Sequence, residues 1–149
     1  MKIEELFSVR GKVALVTGGS RGLGEMFARA YVENGVKVYI SSRKAEACAS
    51  LTEELSKSGT CIPLPADLSK MGEIERLAKE ISARESKLDI LINNAGIQLE
   101  SNSWAENTSE NIGEQVLRET LDTNFFSVVK LTSKLLPLIR KSNAGRIVN

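Results

Sequence analysis

Apolar positions along the chain alternate between two patterns. Short apolar runs such as Val13-Ala14-Leu15-Val16 give way to longer stretches in which apolar residues recur every three or four places. The first pattern suits strands buried on both faces, and the second suits helices with one buried stripe. Residues 12–17 therefore read as a first strand and 22–34 as a helix whose buried face is Leu23, Met26, Phe27, Ala30 and Tyr31. Asn34-Gly35 is a helix stop, and 36–40 is a second strand. Ser42 is the expected cap of a helix over roughly 43–58, facing the core with Ala47, Cys48, Leu51 and Leu55 and ended by Gly59. Residues 60–64 read as a third strand. Asp67 or Ser69 then opens a helix that buries Ile74, Leu77, Ala78 and Ile81. A fourth strand, 88–92, runs into Asn93-Asn94-Ala95-Gly96. The polar stretch 99–110, with Trp104 as a local anchor, reads as a loop over the site. Asn111 and Glu114 have capping-box spacing ahead of a long helix over about 112–142. Its apolar positions include Val116, Leu117, Leu121, Phe125, Val128, Leu131, Leu135 and Leu138, and Pro137 is expected to bend its end. A fifth strand begins at Arg146.

Strands alternating with helices imply an α/β fold, a doubly wound parallel sheet of the Rossmann-like kind, here over one domain of 149 residues. The expected strand order is 3-2-1-4-5, with a ligand crevice at the carboxyl ends of strands 1 and 4. Two turns far apart in sequence, one at Gly18 and one at Asn93–Gly96, would then meet at that crevice.

The first of these turns is Thr17-Gly18-Gly19-Ser20-Arg21-Gly22-Leu23-Gly24. Glycines allow a tight turn and a close ligand approach, and the helix that follows offers unpaired N–H groups at its positive end. A phosphate suits such a place. The segment is not a nucleoside-triphosphate loop, because Glu25 and Met26 stand where that motif needs Lys and Ser or Thr. The G-x-G-x-x-G spacing fails too, since Phe27 falls at its last glycine. What remains is T-G-x-x-x-G-x-G.

Charge narrows the function. Lys plus Arg number 20 and Asp plus Glu 19, a net charge of +1 that makes no electrostatic case for nucleic acid or an acidic membrane. No run of 18 apolar residues is present, so no membrane span is expected. The charged N-terminus lacks a signal-peptide core, and Cys48 with Cys61 is no disulfide framework; cytoplasmic location is the expectation. The absence of histidine removes Ser-His and Cys-His nucleophile pairs and histidine metal sites, and no metal is expected.

Thr17 to Gly24, Asp67, Asn93 to Gly96 and Asn124 together resemble the short-chain dehydrogenase/reductase family, as does Gly145-Arg146-Ile147-Val148-Asn149 as its fifth strand. Within that family the chain is similar to 3-oxoacyl-carrier-protein reductases. The resemblance implies that Gly18, Gly19, Ser20, Arg21 and Leu23 surround phosphates and ribose. It implies that Asp67 bonds the adenine amino group with Leu68 beside it, and that Asn94, Ala95 and Gly96 line the nicotinamide ribose. Asp67 has a second reading as a helix cap, and Asn93 reads as a tie between strand 4 and its neighbour. An enzyme using NAD carries an acid after strand 2, whereas this chain reads Ser41-Ser42-Arg43-Lys44. Arg43 and Arg21 can clamp a 2′-phosphate, so the expected cofactor is NADP(H); the alternative makes Arg43 and Lys44 solvated residues at a helix start.

The resemblance also implies a catalytic Ser, a Tyr-x-x-x-Lys pair and a helical Asn that holds the lysine through water. Of these only Asn124 is present, since neither Tyr31 nor Tyr39 has Lys four residues on. Two expectations follow. One is the cofactor-binding part of a reductase or dehydrogenase acting on a small carbonyl or alcohol, cut within its fold. The other is a complete nucleotide-binding or assembly module without turnover. The resemblance implies homo-oligomers through the long helix in either case, and an open strand 5 edge predicts association of the isolated chain.

Overall fold

The computed structural model describes residues 7–98 and 113–149. Five parallel strands form one sheet in the order β3-β2-β1-β4-β5. In chain order the elements are β1 (Val13–Thr17), α1 (Gly22–Glu33), β2 (Lys37–Ser41), α2 (Ala45–Leu55), β3 (Cys61–Pro63), α3 (Met71–Arg84), β4 (Ile90–Ile92), α4 (Glu114–Leu121), a π-helical turn (Asp122–Phe126), α5 (Ser127–Ile139) and β5 (Arg146–Val148). The expected strand order and layering are therefore present, with strands 1, 3 and 4 trimmed at their ends, strand 2 shifted by one residue and strand 5 starting at Arg146 as expected.

Period-two alternation divides the central strands between two cores. Leu15 of β1 and Tyr39 of β2 pack with Leu77 and Ile81 of α3 and Leu131 and Leu135 of α5. Ala14, Val16, Val38 and Ile40 face the other way, onto Ala28 and Val32 of α1 and Cys48 and Leu51 of α2. Burial pushes the Cys61 thiol up to about 11, which suits an inert core cysteine.

Four local expectations are corrected. The buried stripe of α1 is Gly24, Ala28 and Val32, while Leu23 and Met26 are both 65% exposed and Phe27 and Ala30 also face outward. The reason is the close seat of α1 on the glycine turn: a Cβ at Gly24 would lie 2.2 Å from the Gly18 carbonyl oxygen. Only a small-residue stripe permits that approach, so the large side chains turn away. The stop after α1 is as expected. Gly35, at φ 77°, donates its N–H to Val32 O, and Val36 donates to Tyr31 O, a Schellman closure.

Ser42 does not cap α2, which begins two residues later with Lys44 at its N-cap and no side-chain cap. Its hydroxyl accepts from Ser20 Oγ at 2.8 Å instead. Neither Asp67 nor Ser69 caps α3, whose N-cap is Lys70. Asp67 Oδ1 accepts the Ser69 N–H at 3.1 Å and its hydroxyl at 2.7 Å, closing a turn ahead of the helix. The long helix is broken by the π turn. Leu131, Leu135 and Leu138 are buried, whereas Leu117, Leu121 and Phe125 are exposed. Asn111, Trp104 and the rest of the expected loop and capping box lie outside the described residues; α4 starts with Gly113 at its N-cap.

The end of the sheet away from the turns is tied by Asp89, which is 3% exposed. Its carboxylate accepts the Val13 N–H at 2.9 Å, the Lys87 ammonium at 3.0 Å and the Ser142 hydroxyl. Burial alone would raise its pKa, but these donors outweigh it and hold the carboxyl below the usual range. No helix among the described residues is long and apolar enough to cross a membrane.

Candidate functional site

The turns after β1 and β4 meet at the carboxyl end of the sheet, and Thr17 joins them. Its hydroxyl accepts the N–H groups of Asn94 and Ala95, each at 3.0 Å, and donates to Ile92 O at 3.2 Å. Asn94 returns the link, its amide donating to Thr17 O at 3.1 Å and Gly18 O at 3.3 Å. Gly18 sits at φ 65°, where a side chain is strained, and a Cβ there would reach within 2.9 Å of Asn94 Nδ2. The two loops are thus one hydrogen-bonded unit held by backbone proximity.

Beside this unit lies a cleft of about 670 Å³, within the usual range of roughly 300–1,000 Å³ for small-molecule sites. Of the residues singled out in the sequence, Gly18, Ser20, Arg21, Arg43, Asp67, Leu68, Asn94, Ala95 and Gly96 line it. Gly19, Leu23 and Asn124 do not. Gly19 is buried under the turn, where a Cβ would lie 2.9 Å from Ile40 and from Val16 O. Leu23 points outward from α1. Asn124 stands one step behind the wall: its amide donates to Ile97 O and its carbonyl accepts the Ile97 N–H, both at 2.8 Å, and Ile97 lines the cleft. That exchange fixes the chain leaving β4 against the π turn.

Asn93 lies outside the cleft wall and ties strands. Its N–H donates to Val148 O at 2.8 Å and its amide reaches Thr132 Oγ1 and Asn149 Oδ1. Lining residues that the sequence did not assign to the site are Ser41, Ser42, Lys44, Ala47, Ala66, Ile97 and Thr123, together with Gly22 of the glycine turn. Ser42 and Lys44 were adjacent to Arg43 in the sequence, but no local pattern distinguishes Ile97 or Thr123, which long-range packing brings in.

The electrostatics favour an anion. Arg21, Arg43 and Lys44 line the cleft against one carboxylate, Asp67. Partial burial pushes the Asp67 pKa upward, but the Ser69 hydroxyl and N–H, then Lys70 and Arg43, pull it below the ordinary value, so it is ionised at neutral pH. One buried polar atom in the wall has no hydrogen-bond partner among the described residues, the Ser41 hydroxyl.

An open parallel α/β sheet with a glycine turn and a cationic cleft at the carboxyl ends of its central strands defines a nucleotide-binding fold. The sequence model of the short chain dehydrogenases matches residues 12–149, and the chain belongs to that family. It is 41% identical over 147 residues to the rhamnolipids biosynthesis 3-oxoacyl-[acyl-carrier-protein] reductase of Pseudomonas aeruginosa, covering 96% of this chain and 55% of that protein. Among solved structures it resembles the Pseudomonas aeruginosa RhlG/NADP active-site complex, with TM-score 0.85 and 39% identity over 95% of this chain and 54% of that one. A 3-oxoacyl (acyl-carrier-protein) reductase from Agrobacterium tumefaciens with NADP bound gives TM-score 0.85 at 30% identity, over 99% and 55% of the two chains. The chain spans about half the length of the curated relatives it matches.

Proposed function

We propose that this chain provides the NADP(H)-binding part of an oxidoreductase that moves a hydride between nicotinamide and a small carbonyl or alcohol, with 3-oxoacyl compounds as the leading substrate class. The observation that carries this reading is the cation-lined cleft beside the joined Gly18 and Asn94 turns. The residues present fit the cofactor. The turn approaches any bound group with bare backbone, two guanidiniums match a phosphate, and the wall keeps an unpaired hydroxyl. Bound NADPH supplies the hydride. Arg21 and Arg43 would hold its 2′-phosphate, and ionised Asp67 would accept from its adenine amino group. Asn94 holds the turn in shape, and Asn124 steadies Ile97. The named reductases at 41% and 30% identity support both the cofactor and the carbonyl substrate.

A second reading, a nucleotide-binding or assembly module without turnover, rests on the two tyrosines. Neither lines the cleft. Tyr39 is buried with its hydroxyl on Glu85, and burial raises both phenols above their ordinary pKa. Neither is a proton donor for a substrate in the cleft. Homo-oligomers are supported by the exposed Leu117, Leu121, Phe125 and Val129, which recur every four residues.

The test is titration with NADPH and NADH. Wild type saturates with NADPH and prefers it. Arg43→Asp removes a charge-assisted contact and adds a repulsion, shifting the preference toward NADH by about 100-fold, a change of roughly 3 kcal/mol. Unchanged relative affinities, or no saturable signal from folded protein, refute the cofactor assignment. Intact-mass measurement combined with an NADPH oxidation assay separates the two readings.

A further inference from the structure

Thr17 and Ser41 are register partners on adjacent strands. Alternation places both hydroxyls on the face shared with Leu15 and Tyr39. Both residues are 1% exposed. Thr17 Oγ1 has three partners, Ile92 O at the end of β4 and the N–H groups of Asn94 and Ala95 in the loop after it. Ser41 Oγ has none among the described residues, although its backbone is satisfied, with Ser41 O accepting the Gly19 N–H at 3.1 Å. A buried hydroxyl without a partner forgoes about 1–3 kcal/mol relative to one that is bonded. Such groups are rare in folded proteins and call for a specific explanation.

The surroundings supply one. Ser41 lines the cleft together with Ala66 and Leu68, both buried, and Asp67 between them. This is an apolar slot with one carboxylate and one hydroxyl, the make-up of a site for a flat heterocycle with a few polar edge atoms. The carboxylate only accepts, so it takes an exocyclic N–H. The hydroxyl can donate, and the ring nitrogens of a purine only accept. Reaching the slot requires the hydroxyl to rotate about the Ser41 Cα–Cβ bond when the base binds.

We infer that Ser41 is a base-recognition residue, whose hydroxyl donates to a ring nitrogen of the purine that Asp67 holds by its amino group. The inference rests on the dinucleotide reading of the cleft and deepens it. Ser41 contributes to the choice of base, whereas Arg43 acts on the phosphate.

The test uses adenosine 2′,5′-bisphosphate and its 1-deaza, 3-deaza and 7-deaza analogues, titrated calorimetrically into wild type and Ser41→Ala. The substitution weakens binding of the parent compound about fivefold. One deaza analogue binds wild type about fivefold more weakly than the parent, yet binds Ser41→Ala as well as the parent does, because the lost pair is counted once. Without ligand, Ser41→Ala melts at or above the wild-type temperature, since no internal bond is removed. A melting temperature several degrees lower means the hydroxyl has a partner inside the protein and overturns the inference. So does equal binding of the parent by both proteins, or the same penalty for every analogue in both. Failure of wild type to bind the parent at all overturns the dinucleotide reading as well.

Discussion

Replacing Gly24 by alanine adds one carbon where the structure has no room. The new Cβ would lie 2.2 Å from Gly18 O, 2.6 Å from Asn94 Nδ2 and 2.8 Å from Gly18 C. An unbonded carbon and oxygen rest about 3.3 Å apart, so the turn must retreat from α1 by roughly 1 Å. Both near neighbours are rigid, one being backbone and the other an amide bonded to Thr17 O and Gly18 O. Overpacking of this kind costs about 1–3 kcal/mol, and weakening the Asn94 bonds adds about 1 kcal/mol. A total near 3 kcal/mol lowers the melting temperature by about 10 °C for a chain of this size. Gly72 is the matched control: it lies in α3, where a Cβ meets nothing within 4 Å. There the same chemical change, made in the first turn of the helix, gains less than the roughly 0.8–1 kcal/mol of an interior position, so Gly72→Ala melts at or slightly above the wild-type temperature. Thermal denaturation followed by circular dichroism reads both, and NADPH titration of Gly24→Ala below its melting temperature shows weakened binding. A Gly24→Ala melting temperature within 1 °C of wild type with unchanged NADPH affinity would refute the close-seat account of α1.

Thr17→Val leaves the N–H groups of Asn94 and Ala95 without their acceptor. It destabilises by about 2–3 kcal/mol and weakens NADPH binding, while Thr17→Ser, which keeps the oxygen, restores both in urea melts and titrations. Asp89 has a folded-state pKa held below its unfolded value. Its contribution is therefore complete above the unfolded value of about 4 and is lost as pH falls through the folded one. Wild type exceeds Asp89→Asn by about 2 kcal/mol in urea unfolding at pH 7, and the gap narrows below pH 4. A gap that widened in acid would contradict the assignment.

The strands were legible because a buried parallel strand announces itself locally: Val13-Ala14-Leu15-Val16 is apolar throughout and buried throughout. The glycine turn was legible for the same reason, since the left-handed conformation at Gly18 and Gly22 is a local demand. The face of α1 was not. Hydrophobicity gives weight to Leu23 and Met26, whereas close packing selects Gly24 and Ala28 for their smallness. Ser42 and Asp67 have the chemistry of helix caps, but tertiary and turn contacts claimed their oxygens. Asn124 was noted as a helical polar residue, yet its partner Ile97 lies 27 positions away, at a distance no periodicity reports. Ser41 is the hardest case, because its significance lies in a bond it does not make.

The π turn at Asp122–Phe126 sets the angular phase between the two halves of the helical rod. Each residue advances an α-helix by about 100°, and a π turn holds one more residue than an α turn. Removing a single residue there would rotate α4 by about that angle against α5. The outward row at Leu117 and Leu121 would then swing to a new bearing, and Asn124 would lose its alignment with Ile97. A one-residue register in this turn thus couples the shape of the cleft wall to the bearing of the exposed apolar row on α4.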